Sequence, residues 1–250
     1  MSTPGKCAAF FDLDGTLVPP PSLERRFASY LLRRRELGFA QAARWLTEFL
    51  IHAALDFQAA TEGNKTYLAG LPARLANDRA AWPGREPIPF FAEGLRLLEW
   101  HAAQGHRIFL VSGTLAPLAF GIAQRLPVPT EVCATELEIC GGDWTGRIRG
   151  ERISGEAKAR AMKRLTAKNN LDLAASYAYG DRSTDIPMLK SAGHAVAVNP
   201  SLALERLARQ RGWPVLEWHR TVEAKAPGLF APPLLVAPRI FPLRAARGQR

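Results

Sequence analysis

Ala9-Phe10-Phe11-Asp12-Leu13-Asp14-Gly15-Thr16-Leu17-Val18 carries an apolar run straight into two carboxylates one residue apart, followed by a glycine and a threonine. A short continuous apolar run of this kind fits a strand buried on both faces. Period-two geometry turns Asp12 and Asp14 to the same side if the strand persists, and Gly15 frees the backbone to bend. Two acids at the mouth of a buried strand need partners, and the remaining segments supply candidates.

Similar strand-like segments recur at 107–111 (RIFLV), 176–180 (SYAYG), 194–198 (HAVAV) and 214–218 (PVLEW), with helical patterns between most of them. Pro89 to Gln104 carries an apolar stripe through Phe91, Leu95, Leu98 and Trp100 and is ended by Gly105. Ser154 to Asn170 and Pro200 to Arg211 read as two more helices, the second closed by Gly212. The alternation predicts an α/β fold, a three-layer parallel sheet core covered by helices on both faces. Residues 130–148 (TEVCATELEICGGDWTGRI) read as a β-hairpin turning at Gly141-Gly142-Asp143.

The interval from Asp14 to Ser112 is far longer than the dozen or so residues a direct crossover needs. It predicts an inserted α-helical cap at 18–88, leaving 1–17 and 89–218 as the core and 219–250 as a Pro/Arg-rich basic tail. The longest cap helix is expected over Gly38 to Asp56, with Arg44, Glu48 and His52 at four-residue steps along one side. Those charges count against a membrane span. No period of 2 or 3.6 survives after Trp218, which predicts an extended tail.

The chain has 250 residues, 47% hydrophobic, enough to bury a sizeable core, and a formal net charge of +10. That charge favours phosphate-bearing partners without choosing among small substrates, anionic lipid and nucleic acid. Cys7, Cys133 and Cys140 are scattered and odd in number, which fits reduced thiols. No secretory signal pattern opens the sequence, so a cytoplasmic location is expected.

Ligand sites in open α/β sheets lie beyond the carboxyl ends of the strands. Asp12 and Asp14 stand at the first such end, and Ser112-Gly113-Thr114 follows the second, where hydroxyls and amides can hold a phosphate. Lys158 lies early on the helix of 154–170 and offers a compact cation. Gly180-Asp181 ends a third strand with Asp185 four residues on, so carboxylates converge on a hard cation such as Mg²⁺.

In this order the four segments resemble the signature of the haloacid dehalogenase superfamily, DxDGT, then Ser/Thr, then Lys, then GDxxxD. The chain is similar above all to subfamily IB hydrolases of the phosphoserine phosphatase type. The resemblance implies a Mg²⁺-dependent phosphatase in which Asp12 takes the phosphoryl group as an aspartyl-phosphate and Asp14 acts as general acid and base. It also implies phosphate contacts from Thr16, Ser112, Gly113 and Lys158. The metal would be held by Asp12, Asp181, Asp185 and the backbone carbonyl of Asp14. Arg182 departs from the pattern, since related proteins often have a small residue after the motif aspartate.

A small phosphorylated metabolite is the expected partner, and its identity stays open. Phosphoserine phosphatases carry a cap glutamate shortly after the first motif, where this chain has Pro19-Pro20-Pro21-Ser22 and only a displaced Glu24. Arg25, Arg26 and Lys65 are candidates for an additional anionic group on the substrate, and Trp45 and Phe49 on the apolar cap helix leave room for a lipid phosphate. The alternatives are a lipid-phosphate phosphatase in peripheral contact with an anionic membrane through the basic cap or tail, and a phosphotransferase. A basic membrane- or nucleic-acid-binding protein with a silent core would explain the charge but not the intact acids; no specific nucleic acid is expected.

Overall fold

Ala8–Phe11 forms strand β1, and its alternation decides the two faces of the sheet. Ala9 and Phe11 enter one apolar cluster, and Ala8 and Phe10 enter another. The computed structural model describes residues 7–39, 41, 43, 46, 47, 65–76 and 87–223. The expected helix at Gly38 to Asp56, with Arg44, Trp45, Glu48, Phe49 and His52, lies largely outside the described residues, as does the tail from 224.

β1 lies inside a six-stranded sheet with β3 (Arg107–Leu115), β4 (Glu131–Thr135), β7 (Tyr177–Gly180), β8 (His194–Val198) and β9 (Val215–Leu216), in the order β4-β3-β1-β7-β8-β9. Every neighbouring pair is parallel. The two-residue period repeats across the sheet: Leu110, Tyr179 and Val196 share the cluster of Phe11, while Phe109, Ala178 and Ala197 share that of Phe10. Phe11 stacks on Tyr179 at 4.4 Å and Phe10 on Phe109 at 5.0 Å between ring centroids. Burying each such ring contributes roughly 1.5–3 kcal/mol.

Helices cover both faces. α2 (Ala92–Ala103) and α3 (Ala116–Ala123) place Leu95, Leu98, Leu118 and Ile122 on the Phe11 face. α4 (Glu156–Asn169), α5 (Ile186–Ser191) and α6 (Leu202–Arg211) place Met162, Met188, Leu189 and Leu204 on the other. Gly105, at φ +73°, and Gly212, at φ +65°, follow α2 and α6 as their sequence positions predict.

Among the described residues of 18–88, where a cap was expected, α1 (Leu23–Arg33) and the short turns Thr66–Leu68 and Ala73–Ala76 join the Phe11-face cluster through Leu23, Phe27, Leu31 and Leu68. These residues share one continuous apolar core with the sheet.

Three expectations are corrected. Residues 130–148 are not one hairpin: Glu131–Thr135 pairs in parallel with β3, and only β5 (Leu137–Cys140) and β6 (Asp143–Ile148) form the hairpin. Strand period is 2 in both parallel and antiparallel ladders, so the alternation alone does not reveal the partner. The expected helix from Pro89 starts at Ala92, because Pro89–Phe91 (β2) pairs antiparallel with Thr221–Glu223 (β10). The same pairing carries ordered structure beyond Trp218, into residues expected to begin the tail. Trp218 itself is buried, held by Asn199, whose Oδ1 accepts from the Trp218 amide at 2.7 Å and whose Nδ2 donates to its carbonyl at 3.1 Å.

Gly193 links α5 to β8 so closely that a Cβ there would lie 1.7 Å from the Ala174 carbonyl oxygen. Gly193→Ala is expected to destabilise the fold by about 1–3 kcal/mol, read as a lowered melting temperature.

Candidate active site

The strand ends at Phe11 and the chain turns at once. Asp12 still donates its amide to the Tyr179 carbonyl at 2.9 Å, while the amides of Leu17 and Val18 both return to the Leu13 carbonyl at 2.9 Å. Asp12 and Asp14 therefore reach one cavity through a tight turn rather than through a continued strand. Gly15 is required there: its φ is +91°, and a Cβ would fall 2.1 Å from Asp181 Oδ2.

Lys158 sits in the first turn of α4 and is buried with Asp12 and Asp185. Its ammonium donates to Asp12 Oδ1 and, at 2.6 Å, to Asp185 Oδ1. The second oxygen of Asp185 accepts from the amides of Asp181 and Arg182, both at 3.0 Å, which ties the loop after β7 to the same carboxylate. Burial works against the Lys158 charge, but Asp12 and Asp185 outweigh it and raise its pKa.

Asp14 has different surroundings. Its Oδ1 accepts from the Leu23 amide at 2.7 Å and its Oδ2 from the Thr114 hydroxyl at 2.5 Å. Burial raises its pKa, and those two bonds pull the other way. Burial also lifts Asp12 to about 7, opposed by Lys158 and reinforced by Asp185 and Asp14. Asp181 rises to about 8, first through burial and then through the charges of Asp12 and Asp185.

One oxygen from each of Asp12, Asp181 and Asp185 lies within 4.8 Å of the others. Asp181 Oδ1 is buried without a hydrogen-bond partner. With all three carboxylates ionised against one ammonium the buried cluster would carry two negative charges, and all the donors are hard oxygens. The residues therefore fit a divalent cation such as Mg²⁺. Both carboxylate oxygens of Asp14 are occupied elsewhere, which leaves its backbone carbonyl for the metal role that the resemblance implies.

A cavity of ≈ 620 Å³ opens onto these groups. Asp12, Asp14, Ser112, Gly113, Lys158, Asp181 and Asp185 all line it, as do Glu24, Arg25 and Lys65. Thr16 does not line it; the residue is fully buried and its hydroxyl lacks a hydrogen-bond partner. Arg26 does not line it either, because its guanidinium donates to the carbonyls of Pro19, Pro20 and Pro21 at 2.8–3.2 Å. Lys65 is buried and paired with Glu24 at 2.5 Å.

Ser112-Gly113-Thr114 belongs to the end of β3 rather than to a helix start, and the register with β4 shifts between Ser112 and Leu115. Thr114, named in the sequence with Ser112 and Gly113, also lines the cavity, as do Arg152, Ser154 and Thr184, which were not singled out there. The Ser-Gly-Thr triplet gave a signal for Thr114; nothing local marks Arg152.

A family model described as haloacid dehalogenase-like hydrolase matches residues 9–190. Phosphoserine phosphatase SerB1 of Mycobacterium tuberculosis (strain H37Rv) is 33% identical over 221 residues, covering 84% of this chain and 70% of that protein. The inhibition of morphological differentiation protein of Streptomyces azureus is 32% identical over 246 residues, covering 91% of this chain and 85% of that protein. Among solved structures, a protein of unknown function from Bordetella pertussis Tohama I matches with a TM-score of 0.69 at 27% identity, covering 84% of this chain and 98% of that one.

Gly15→Ala is expected to displace the Asp181 carboxylate and weaken divalent-cation binding by about tenfold or more, measured by calorimetric titration with Mn²⁺.

Proposed function

The chain belongs to the haloacid dehalogenase-like hydrolase family and is a phosphatase; we propose that it hydrolyses a small phosphorylated metabolite through an aspartyl-phosphate on Asp12, with Mg²⁺ as cofactor. The observation that carries this reading is the pair of buried carboxylates on one cavity in unlike surroundings. Asp12 faces an ammonium, and Asp14 faces a hydroxyl and an amide. Environments that separate two acids are how one site assigns nucleophile and proton donor.

In the first step an Asp12 oxygen forms a bond to phosphorus as the bond from phosphorus to the leaving oxygen breaks. The Asp14 carboxyl group gives that oxygen its proton, a role favoured by the burial that raises its pKa. In the second, Asp14 as carboxylate takes a proton from water, whose oxygen attacks phosphorus and releases phosphate and Asp12. Lys158, Ser112 and the nearby amides orient the phosphoryl group and balance its charge, which is most of what phosphoryl transfer asks of a protein. Mg²⁺ held by Asp12, Asp181 and Asp185 would supply further charge neutralisation of the phosphoryl oxygens. The phosphoserine phosphatase among the relatives supports a small phosphorylated substrate. No helix among the described residues is long and apolar enough to cross a membrane.

Turnover of p-nitrophenyl phosphate is expected to require Mg²⁺ and to vanish in Asp12→Asn; Mg²⁺-independent turnover, or turnover that survives Asp12→Asn, would overturn this mechanism. Lys158→Met is expected to lower kcat by about 10²–10³-fold. Phosphate released in step with p-nitrophenol in the presence of added alcohol distinguishes hydrolysis from transfer.

A pH dependence follows as well. The raised carboxyls of Asp12 and Asp181 hold protons in the folded state that the unfolded chain has lost above its ordinary value of 3.8. Their contribution to the stability of the metal-free protein is fully present below that value and is lost as pH rises toward about 7 to 8. Mg²⁺ should reverse the loss, so the melting-temperature gain from Mg²⁺ over EDTA is expected to be larger at pH 8 than at pH 5. An equal gain at both would contradict the assignment of these ligands.

A further inference from the structure

Beyond the catalytic acids and Lys158, the charged residues that line the cavity among the described residues are Glu24, Arg25, Lys65, Arg152 and Arg182. Four are cations, and their arrangement constrains the leaving group. Arg182 is engaged with the metal-side acid, its Nε 3.5 Å from Asp181 Oδ2. Glu24, the one carboxylate of the set, is held by Lys65 at 2.5 Å, with the two side chains only 20% and 4% exposed. A buried pair of this kind resists separation, because removing either partner leaves an uncompensated charge.

An ammonium entering this cavity would meet Glu24 already neutralised and Arg25 and Arg152 as like charges. Arg25 is exposed on α1 and has no carboxylate partner among the described residues, whereas Arg152 lies close enough to Glu24 to act on it electrostatically. An entering anion would meet the Arg25 guanidinium, whose planar fork matches carboxylate and phosphate oxygens, and the positive charge of Arg152 beside Glu24. We propose that the substrate's leaving group carries a second anionic group, carboxylate or phosphate, bound by Arg25 and favoured by the charge of Arg152, and that the Lys65–Glu24 pair excludes leaving groups bearing an ammonium. This inference rests on the phosphatase reading above and adds the substrate class.

A matched series of three-carbon phosphomonoesters tests it: propane-1,3-diol monophosphate with its free end as hydroxyl, and the analogues ending in carboxylate, phosphate or ammonium. In the wild-type protein, kcat/KM for the carboxylate or the phosphate member is expected to exceed that of the hydroxyl member by about tenfold or more. The ammonium member should fall below the hydroxyl. The larger of the two anionic values identifies which chemistry the site takes. Ratios are then compared within each variant, so that a general loss of activity cancels. Arg25→Ala and Arg152→Ala should bring the anion-to-hydroxyl ratio toward one. Lys65→Met should raise the ammonium-to-hydroxyl ratio by freeing Glu24, and Glu24→Gln should not. Equal kcat/KM across the wild-type series, or the highest value for ammonium, overturns the proposal while leaving the phosphatase reading standing. Failure to turn over any member of the series and p-nitrophenyl phosphate alike overturns that reading itself.

Discussion

Lys158 brings a full positive charge into the interior, where an unpaired ammonium would cost several kcal/mol in lost hydration. It is tolerated because Asp12 and Asp185 contact it directly and Asp181 stands beside them. Those groups come from β1, the loop after β7 and the first turn of α4, so one ion-pair cluster fixes the relative positions of three separate elements. Asp185 extends the constraint, since its second oxygen binds the amides that open its own loop. The sheet order allows the arrangement: β1 lies between β3 and β7, where their carboxyl ends open a crevice.

The same constraint separates the two acids of the opening motif. Asp12 is drawn to the ammonium, and Asp14, turned away after a single residue, is taken up by Thr114 and the start of α1. Gly15 makes this divergence feasible by taking a positive φ and leaving room for the Asp181 carboxylate. The Leu23 amide that binds Asp14 opens α1, so Asp14 is held from α1 and β3 while Asp12 is held by Lys158 on α4.

The segment that holds α1 is coupled to the rest of the fold more widely than by that bond. Trp144 on β6 is buried, meets Phe27 of α1 edge-on at 6.1 Å, and exchanges backbone hydrogen bonds with Gly70 and Leu71. The hairpin of β5 and β6 thus carries the segment holding Lys65 and, with it, the Glu24 pair on the cavity wall. Arg26 acts on the other side of α1 by gathering the carbonyls of Pro19 to Pro21. The proline run that marks this chain's departure from phosphoserine phosphatases is therefore braced from within the cap.

Much of this was legible in the sequence, for physical reasons. Apolar runs leading to Asp12, Ser112 and Asp181 identified three core strands and the residues that line the cavity at their ends, because buried parallel strands must be apolar throughout and ligand sites lie beyond their carboxyl ends. Glycine positions marked the ends of α2 and α6, since only the local backbone is at issue there. Tertiary structure decided what depends on partners distant in the chain. It made Glu131–Thr135 a sheet strand and Pro89–Phe91 half of a ladder with Thr221–Glu223, since strand period does not name its neighbour. It buried Thr16, directed Arg26 to backbone carbonyls, and brought Arg152 into the cavity. It also joined Lys65 to Glu24 across 41 positions. A side chain's chemical type is local and can be read from the sequence; the charge it meets is set by packing.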